Sequence, residues 1–247
     1  MPNPLPLVGL PGDDAVWTAT VSMSHEDTAF PAENLQTGDP ALVAKSTTTT
    51  TTITVTTASI TPVAVALINT NAETASINGD PITIPALDPD GQRRHAWMDM
   101  RGSPSGTGTS WTIVLSRASG VVWCGRLVLL TAIYDLNLKY GLQRGRRRPG
   151  DIEIRTRLGS VLRHGSQIRT QWATGVVDVI ESESLLKALE ASAKGIVLPF
   201  LFVPDELTNE AWFVKFTAND FSITLPDFDV RQIPFSVEEL SGGPPNG

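Results

Sequence analysis

The chain has 247 residues, 41% of them hydrophobic and 18% charged, with a formal net charge of −7. That length and apolar content suit one large all-β domain or two ordinary domains with packed cores, and they exclude wholesale disorder. The acidic balance argues against nucleic acid as the main partner. The single cysteine, Cys124, excludes an intrachain disulfide and fits synthesis in a reducing cytosol.

The first fourteen residues, MPNPLPLVGLPGDD, lack a basic leader region, and their prolines interrupt any apolar helix. They are expected to form an extended arm able to pack along a neighbour rather than a signal peptide. Residues 15–23 alternate apolar and polar, as a half-buried strand does. Residues 30–57 follow, with turn formers Asn34, Gly38, Asp39 and Pro40 ahead of an uncharged threonine tract. Threonine is β-branched, so the tract predicts a strand. Residues 62–69 are a continuous apolar run of strand length, expected to be covered on both faces. Asn78-Gly79-Asp80-Pro81 predicts a tight turn between two short strands. Residues 110–116 and 121–131 are two further strands, separated by Ser119-Gly120. Residues 101–110 are rich in Gly and Ser, yet no Gly-Lys-Ser/Thr follows, so a hairpin loop is expected rather than a phosphate cradle.

Beyond Tyr134-Asp135-Leu136-Asn137 the pattern changes. Residues 150–157 and 166–174 alternate as strands do, and residues 180–192 predict a helix with Leu185, Leu186 and Leu189 on one face and Lys194-Gly195 as its stop. Residues 196–203 form an apolar run in which Pro199 predicts an edge or a break. Residues 212–217, 221–225 and 231–238 predict closing strands, and the tail 241–247 is expected to be disordered. The fold class is therefore mainly β: an N-terminal β-sandwich or jelly roll over residues 1–134, and a β-domain over 135–240, barrel- or sandwich-like, with one helix near 180–193. No apolar run approaches the roughly 18–20 residues that span a bilayer, so no membrane insertion is expected. The longest, residues 121–133, is interrupted by Arg126.

Few residues are spaced for chemistry. His25, His95 and His164 have no metal-ligand spacing, and the carboxylate pairs Asp13/Asp14, Glu181/Glu183, Asp205/Glu206 and Glu238/Glu239 are expected to be solvated. The expectation is no catalytic residue, no cofactor and no metal. One charge block stands out. Residues 139–171 hold nine basic and two acidic residues, a net of +7, between flanks of −6 and −8. Its densest part, Arg144, Arg146, Arg147 and Arg148, lies between Gly141 and Pro149-Gly150 and is expected to be a loop. Such a cluster can contact another subunit, remain solvated, or bind phosphates. No aromatic is interleaved as in a single-strand platform, and contact with other copies of the chain is favoured.

Two resemblances add to this. Pro31-Ala32-Glu33-Asn34-Leu35, then Gly38-Asp39-Pro40, Thr52-Ile53-Thr54-Val55 and the apolar run 63–68 resemble the opening of discoidin-like jelly-roll domains. The stretch 195–204, then Glu210-Ala211-Trp212-Phe213-Val214-Lys215-Phe216 and the ending Asp229 to Glu239 resemble tail structural proteins of tailed bacteriophages, in particular siphophage distal tail proteins. The second resemblance implies a non-enzymatic virion component, made and assembled in the host cytoplasm. It would form a homo-oligomeric ring at the tail tip or baseplate, between the tail tube and the hub, fibre or receptor-binding proteins. The arginine cluster would then be the intersubunit contact. The alternative is a carbohydrate-binding module that attaches to host-surface glycans, with Trp17, Trp97 and Trp111 as stacking candidates, although burial is the expectation for each.

Overall fold

A computed structural model describes residues 6–85, 94–102, 106–136, 142–147, 152–155, 161–164, 170–194, 197–205, 210–217, 224–227 and 230–240. The chain opens with strand β1 (Leu7–Gly9) and two 3-10 turns, Pro11–Asp13 and Ala15–Thr18. The expected strand at 15–23 is thus shortened to β2 (Thr20–Met23), because the Asp14 carboxylate accepts from the Val16 N–H and winds the chain there. A third 3-10 turn, Ala32–Gln36, follows, then β3 (Ala44–Lys45) and the threonine tract as β4 (Thr50–Ile60). Next come β5 (Ala64–Thr70), β6 (Thr74–Ile77) and β7 (Asp80–Ile82). The β6–β7 turn uses Asn78 (φ 49) and Gly79 (φ 92), the two positive φ angles that a two-residue hairpin of matching twist requires. Strands β8 (Arg94–Asp99), β9 (Gly108–Ser116), β10 (Trp123–Leu130) and β11 (Tyr134–Asp135) complete the first half.

The second half contains β12 (Gln143–Arg147), β13 (Ile152–Arg155), β14 (Val161–His164) and β15 (Thr170–Asp178). Helix α1 (Val179–Ala193) follows and stops at Lys194, whose φ of 50 takes the left-handed conformation that ends helices. The chain closes with β16 (Phe200–Val203), β17 (Trp212–Phe216), β18 (Thr224–Asp227) and β19 (Val230–Glu239). Pro199 precedes β16 and removes no ladder hydrogen bond, so β16 lies inside its sheet, between β1 and β17, rather than at an edge. The tail 241–247 lies outside the described residues.

The protein is mainly β, with sandwich packing in the first half. A five-stranded sheet in the order β2-β4-β9-β6-β7 faces a four-stranded sheet in the order β3-β10-β5-β8. Ile53, Val55, Trp111, Ile113 and Leu115 meet Val65, Leu67, Leu127 and Leu129 between them. The four-stranded sheet has a second neighbour. Ala64, Ala66, Ile68, Val128 and Leu130 pack against Leu7, Leu201, Val203 and Phe213 of an eight-stranded sheet. Strands β5 and β10 are therefore buried along their whole length on both faces, which explains why apolar residues dominate both sequences. On the far side of the eight-stranded sheet, Phe200, Phe202, Trp212, Phe216 and Phe235 pack against Leu186 and Leu189 of α1. The protein is thus layered sheet, sheet, sheet, helix.

The eight-stranded sheet runs β11-β1-β16-β17-β19-β15-β12, with β18 paired to β19. Its second strand is the N-terminal arm, which pairs Leu7 with Val203 and Asp135, and Val8 with Phe202 and Tyr134. Leu7 faces the four-stranded sheet and Val8 faces the helix side, so both side chains are buried. The arm packs along its own chain.

At the turn between arm and sandwich lies a buried charge pair. Arg126, in the middle of β10, is fully buried. Its Nη2 donates to Asp14 Oδ2 and its Nη1 donates to the Leu35 carbonyl at 2.8 Å. Its guanidinium lies 4.1 Å from the centroid of the Trp17 ring and 5.9 Å from that of Phe213. Asp14 Oδ1 also accepts from the Leu129 and Val16 N–H groups, each at 3.1 Å. The pair Asp13/Asp14, expected to be solvated, is therefore split. Asp14 is buried because a cation from β10 meets it there, while burial pushes its carboxyl above the usual range and Arg126 pulls the other way. Glu239 departs from the same expectation: it is buried, and its Oε1 lies 3.0 Å from His95 Nε2.

Removing one partner of a buried pair leaves an uncompensated charge in the interior. Arg126→Ala is expected to cost about 3–5 kcal/mol, and the double variant Asp14→Leu/Arg126→Met to recover most of it; urea unfolding midpoints test both. Gly125 makes a second demand on β10. A Cβ there would stand 2.1 Å from the Pro40 carbonyl oxygen, which also accepts from Asn69 Nδ2. Backbone cannot yield as a side chain end can, so Gly125→Ala should destabilise more than a typical surface change, by about 1–3 kcal/mol in the same assay. Cys124 is buried, and desolvation pushes its thiol up to about 12. The folded protein is expected to resist thiol-specific labelling at neutral pH and to become labelled once unfolded in urea.

Candidate functional site

The described residues of the segment 139–171 lie mainly in two nested antiparallel ladders. Strand β12 pairs β15 from Gln143↔Thr174 to Arg147↔Thr170, and between them in the chain β13 pairs β14 from Ile152↔His164 to Arg155↔Val161. The arginine cluster expected as a loop is therefore largely strand: Arg144, Arg146 and Arg147 lie in β12, opposite Ala173, Gln171 and Thr170. Flanking Gly and Pro suggested a loop, but the pairing partners are 23 to 29 residues away, beyond the reach of local sequence signals. Arg148 lies outside the described residues.

Strand β12 ends the order of the eight-stranded sheet, and an end strand leaves backbone groups for a further chain to meet. Arg144 is half exposed, and its Nη1 donates to Glu210 Oε2 at 3.2 Å. Glu210 Oε1 accepts from Trp212 Nε1 at 3.0 Å, so the arginine is oriented through a carboxylate that is itself held by the core tryptophan. Gly145 is required by its neighbour. It stands opposite Trp172, and a Cβ on it would lie 2.7 Å from the indole Cζ2.

Beside this strand the sheet presents a polar face. Lys215, Glu238, Trp172 and Gly145 stand in one cross-strand row, and Ser236, Thr174 and Gln143 stand in the next. Thr217 closes the second row, its Oγ1 2.8 Å from Ser236 Oγ. Trp172, Lys215, Thr217 and Glu238 help to line a cavity of about 660 Å³. The register was not legible in the sequence, although the alternation of residues 166–174 was.

The remaining candidates are scattered. Trp111 is buried inside the sandwich and Trp97 is buried between the four-stranded and eight-stranded sheets, while Trp17 is half-buried under Arg126. His25 is on an exposed turn, His95 lies in β8 and accepts from the Asn69 N–H through Nδ1 at 3.2 Å, and His164 ends β14. Among the described residues, no group of three or more His, Cys, Asp and Glu is arranged to hold a metal ion, and no helix is long and apolar enough to cross a membrane.

Gly145→Val should displace the Trp172 indole and loosen β12, lowering stability by about 1–3 kcal/mol. The expected signature is an altered near-ultraviolet circular dichroism signal from Trp172 together with a lower urea midpoint.

No protein-family model matches this chain, and no curated protein matches it. Among solved structures it is similar to a chain in the X-ray crystal structure of reduced XRCC1 bound to DNA pol beta catalytic domain, with 13% identity, 45% of this chain and 93% of that chain covered, and a TM-score of 0.37.

Proposed function

We propose that this protein is a non-enzymatic structural subunit of a bacteriophage tail tip. It assembles with copies of itself into a ring between the tail tube and the hub, fibre or receptor-binding proteins, in a virion built in the host cytoplasm. The observation that carries this reading is the charge layout. The segment 139–171 has a net charge of +7 and the rest of the chain −14, giving the whole-chain −7. Three of its arginines, Arg144, Arg146 and Arg147, lie on β12 at the end of a sheet, and the acidic remainder of the chain would offer a complementary surface on the next copy. A contact between different surfaces of identical subunits closes into a ring when the rotation between them allows. The polar face around Trp172, Lys215 and Glu238 extends the surface open to a neighbour.

Light scattering should find a defined oligomer at low ionic strength that loosens as salt rises. The charge-reversed variant Arg146→Glu/Arg147→Glu should remain monomeric while keeping the wild-type circular dichroism spectrum. A wild-type protein that stays monomeric at high concentration, or a reversed variant that assembles normally, would refute the reading. Electron microscopy of the oligomer would give its symmetry.

A further inference from the structure

The arm, the sandwich and the end of α1 enclose a groove of about 690 Å³, within the usual range for small-ligand sites. Its lining combines Trp17 and Ile60 with Asp13, Thr57, Ser192 and Lys194. We propose that this groove binds an uncharged saccharide, with a pyranose ring lying on the Trp17 indole.

The platform is fixed before any ligand arrives. The Arg126 guanidinium sits 4.1 Å from the Trp17 ring centroid. The 3-10 turn that carries Trp17 is tied at both ends by Gln36 Nε2, which donates to the Val16 carbonyl at 2.7 Å and to the Ala19 carbonyl at 2.8 Å. A rigid aromatic surface loses little conformational freedom on binding. A pyranose suits it because its C–H face is apolar while its rim carries hydroxyl groups, which need both donors and acceptors nearby. Asp13 Oδ2 accepts from the Tyr134 hydroxyl at 3.1 Å, and the carboxylate keeps lone pairs for a sugar hydroxyl. Ser192 Oγ accepts from the Gly12 N–H at 2.8 Å, which leaves its own O–H to donate. Lys194 is exposed at the groove and supplies further donors.

The same groups argue against other ligand classes. Asp13 repels a phosphate or carboxylate ligand, and Lys194 repels a cation. A wholly apolar ligand would strip water from both charges without replacing their hydrogen bonds. A neutral, hydroxylated ring meets none of these penalties.

The test is titration calorimetry and saturation-transfer NMR on the full chain with methyl glycosides of glucose, galactose, N-acetylglucosamine and rhamnose and the disaccharides of each. At least one should bind the wild-type protein. Trp17→Ala should weaken that binding by about tenfold or more, on the scale of one aromatic contact. Because Trp17 also packs on Arg126, a second variant, Thr57→Trp, fills the groove from β4 and leaves the platform in place. It should abolish binding while the urea midpoint and the oligomeric state remain those of the wild type. Absence of binding by every saccharide in the set, or binding that persists unchanged in Thr57→Trp, would overturn the proposal. The oligomeric state is read separately, so failure here is distinct from failure of the assembly reading.

Discussion

The contact between Asp14 and Arg126 ties together parts of the chain that composition alone would keep separate. Asp14 belongs to the arm that leads into the eight-stranded sheet, and Arg126 belongs to the middle strand of the sandwich. The guanidinium also meets the carbonyl of Leu35, the ring of Trp17 and, farther off, the ring of Phe213. A charge buried this deeply is tolerable only when nearly every donor and acceptor around it is used. Asp14 meets that demand with two backbone N–H groups besides its cation, although Arg126 Nε is left without a hydrogen-bond partner. Apolar burial on both sides supplies the stabilisation, and the pair fixes the alignment in which that burial can occur.

The layering follows from the same constraint. Strands β5 and β10 have no solvent-facing side, so the four-stranded sheet works as a partition between two cores. On the side facing the five-stranded sheet it presents branched residues such as Val65, Leu67 and Leu127. On the other side Ala64 and Ala66 make room for Leu201 and Phe213. Large meets small across the interface, which lets the sheets approach without voids.

The sequence made some of this legible. The threonine tract, the Asn78-Gly79 turn, the doubly buried run at 62–69 and the helix ending at Lys194 each carry a local signal whose cause lies within a few residues. The features without a local signal depend on distant partners. Asp14 looked solvated because its cation is 112 residues away. The arginine cluster looked like a loop because β15 is what makes it a strand. One clue was available: a lone arginine inside an apolar strand run, as at Arg126, must have a buried acceptor somewhere. The seam groove had no comparable signal, since it draws on the arm, β4 and the end of α1 at once.

The position of β1 also shapes how the molecule comes into being. Its two partners, β11 and β16, lie more than 120 and 190 residues downstream. A ribosome that has just made Leu7 has no partner to offer it; the first, β11, emerges only with residue 135, and the second edge of the strand stays open until residue 203 has emerged. Pairings this far apart in sequence are slow to form, because loop closure is paid for before any contact rewards it. The sandwich can assemble earlier from strands made within the first 130 residues. Insertion of the arm between β11 and β16 is thus a closing step of folding, and until it occurs each of those strands presents an open edge to any other chain nearby.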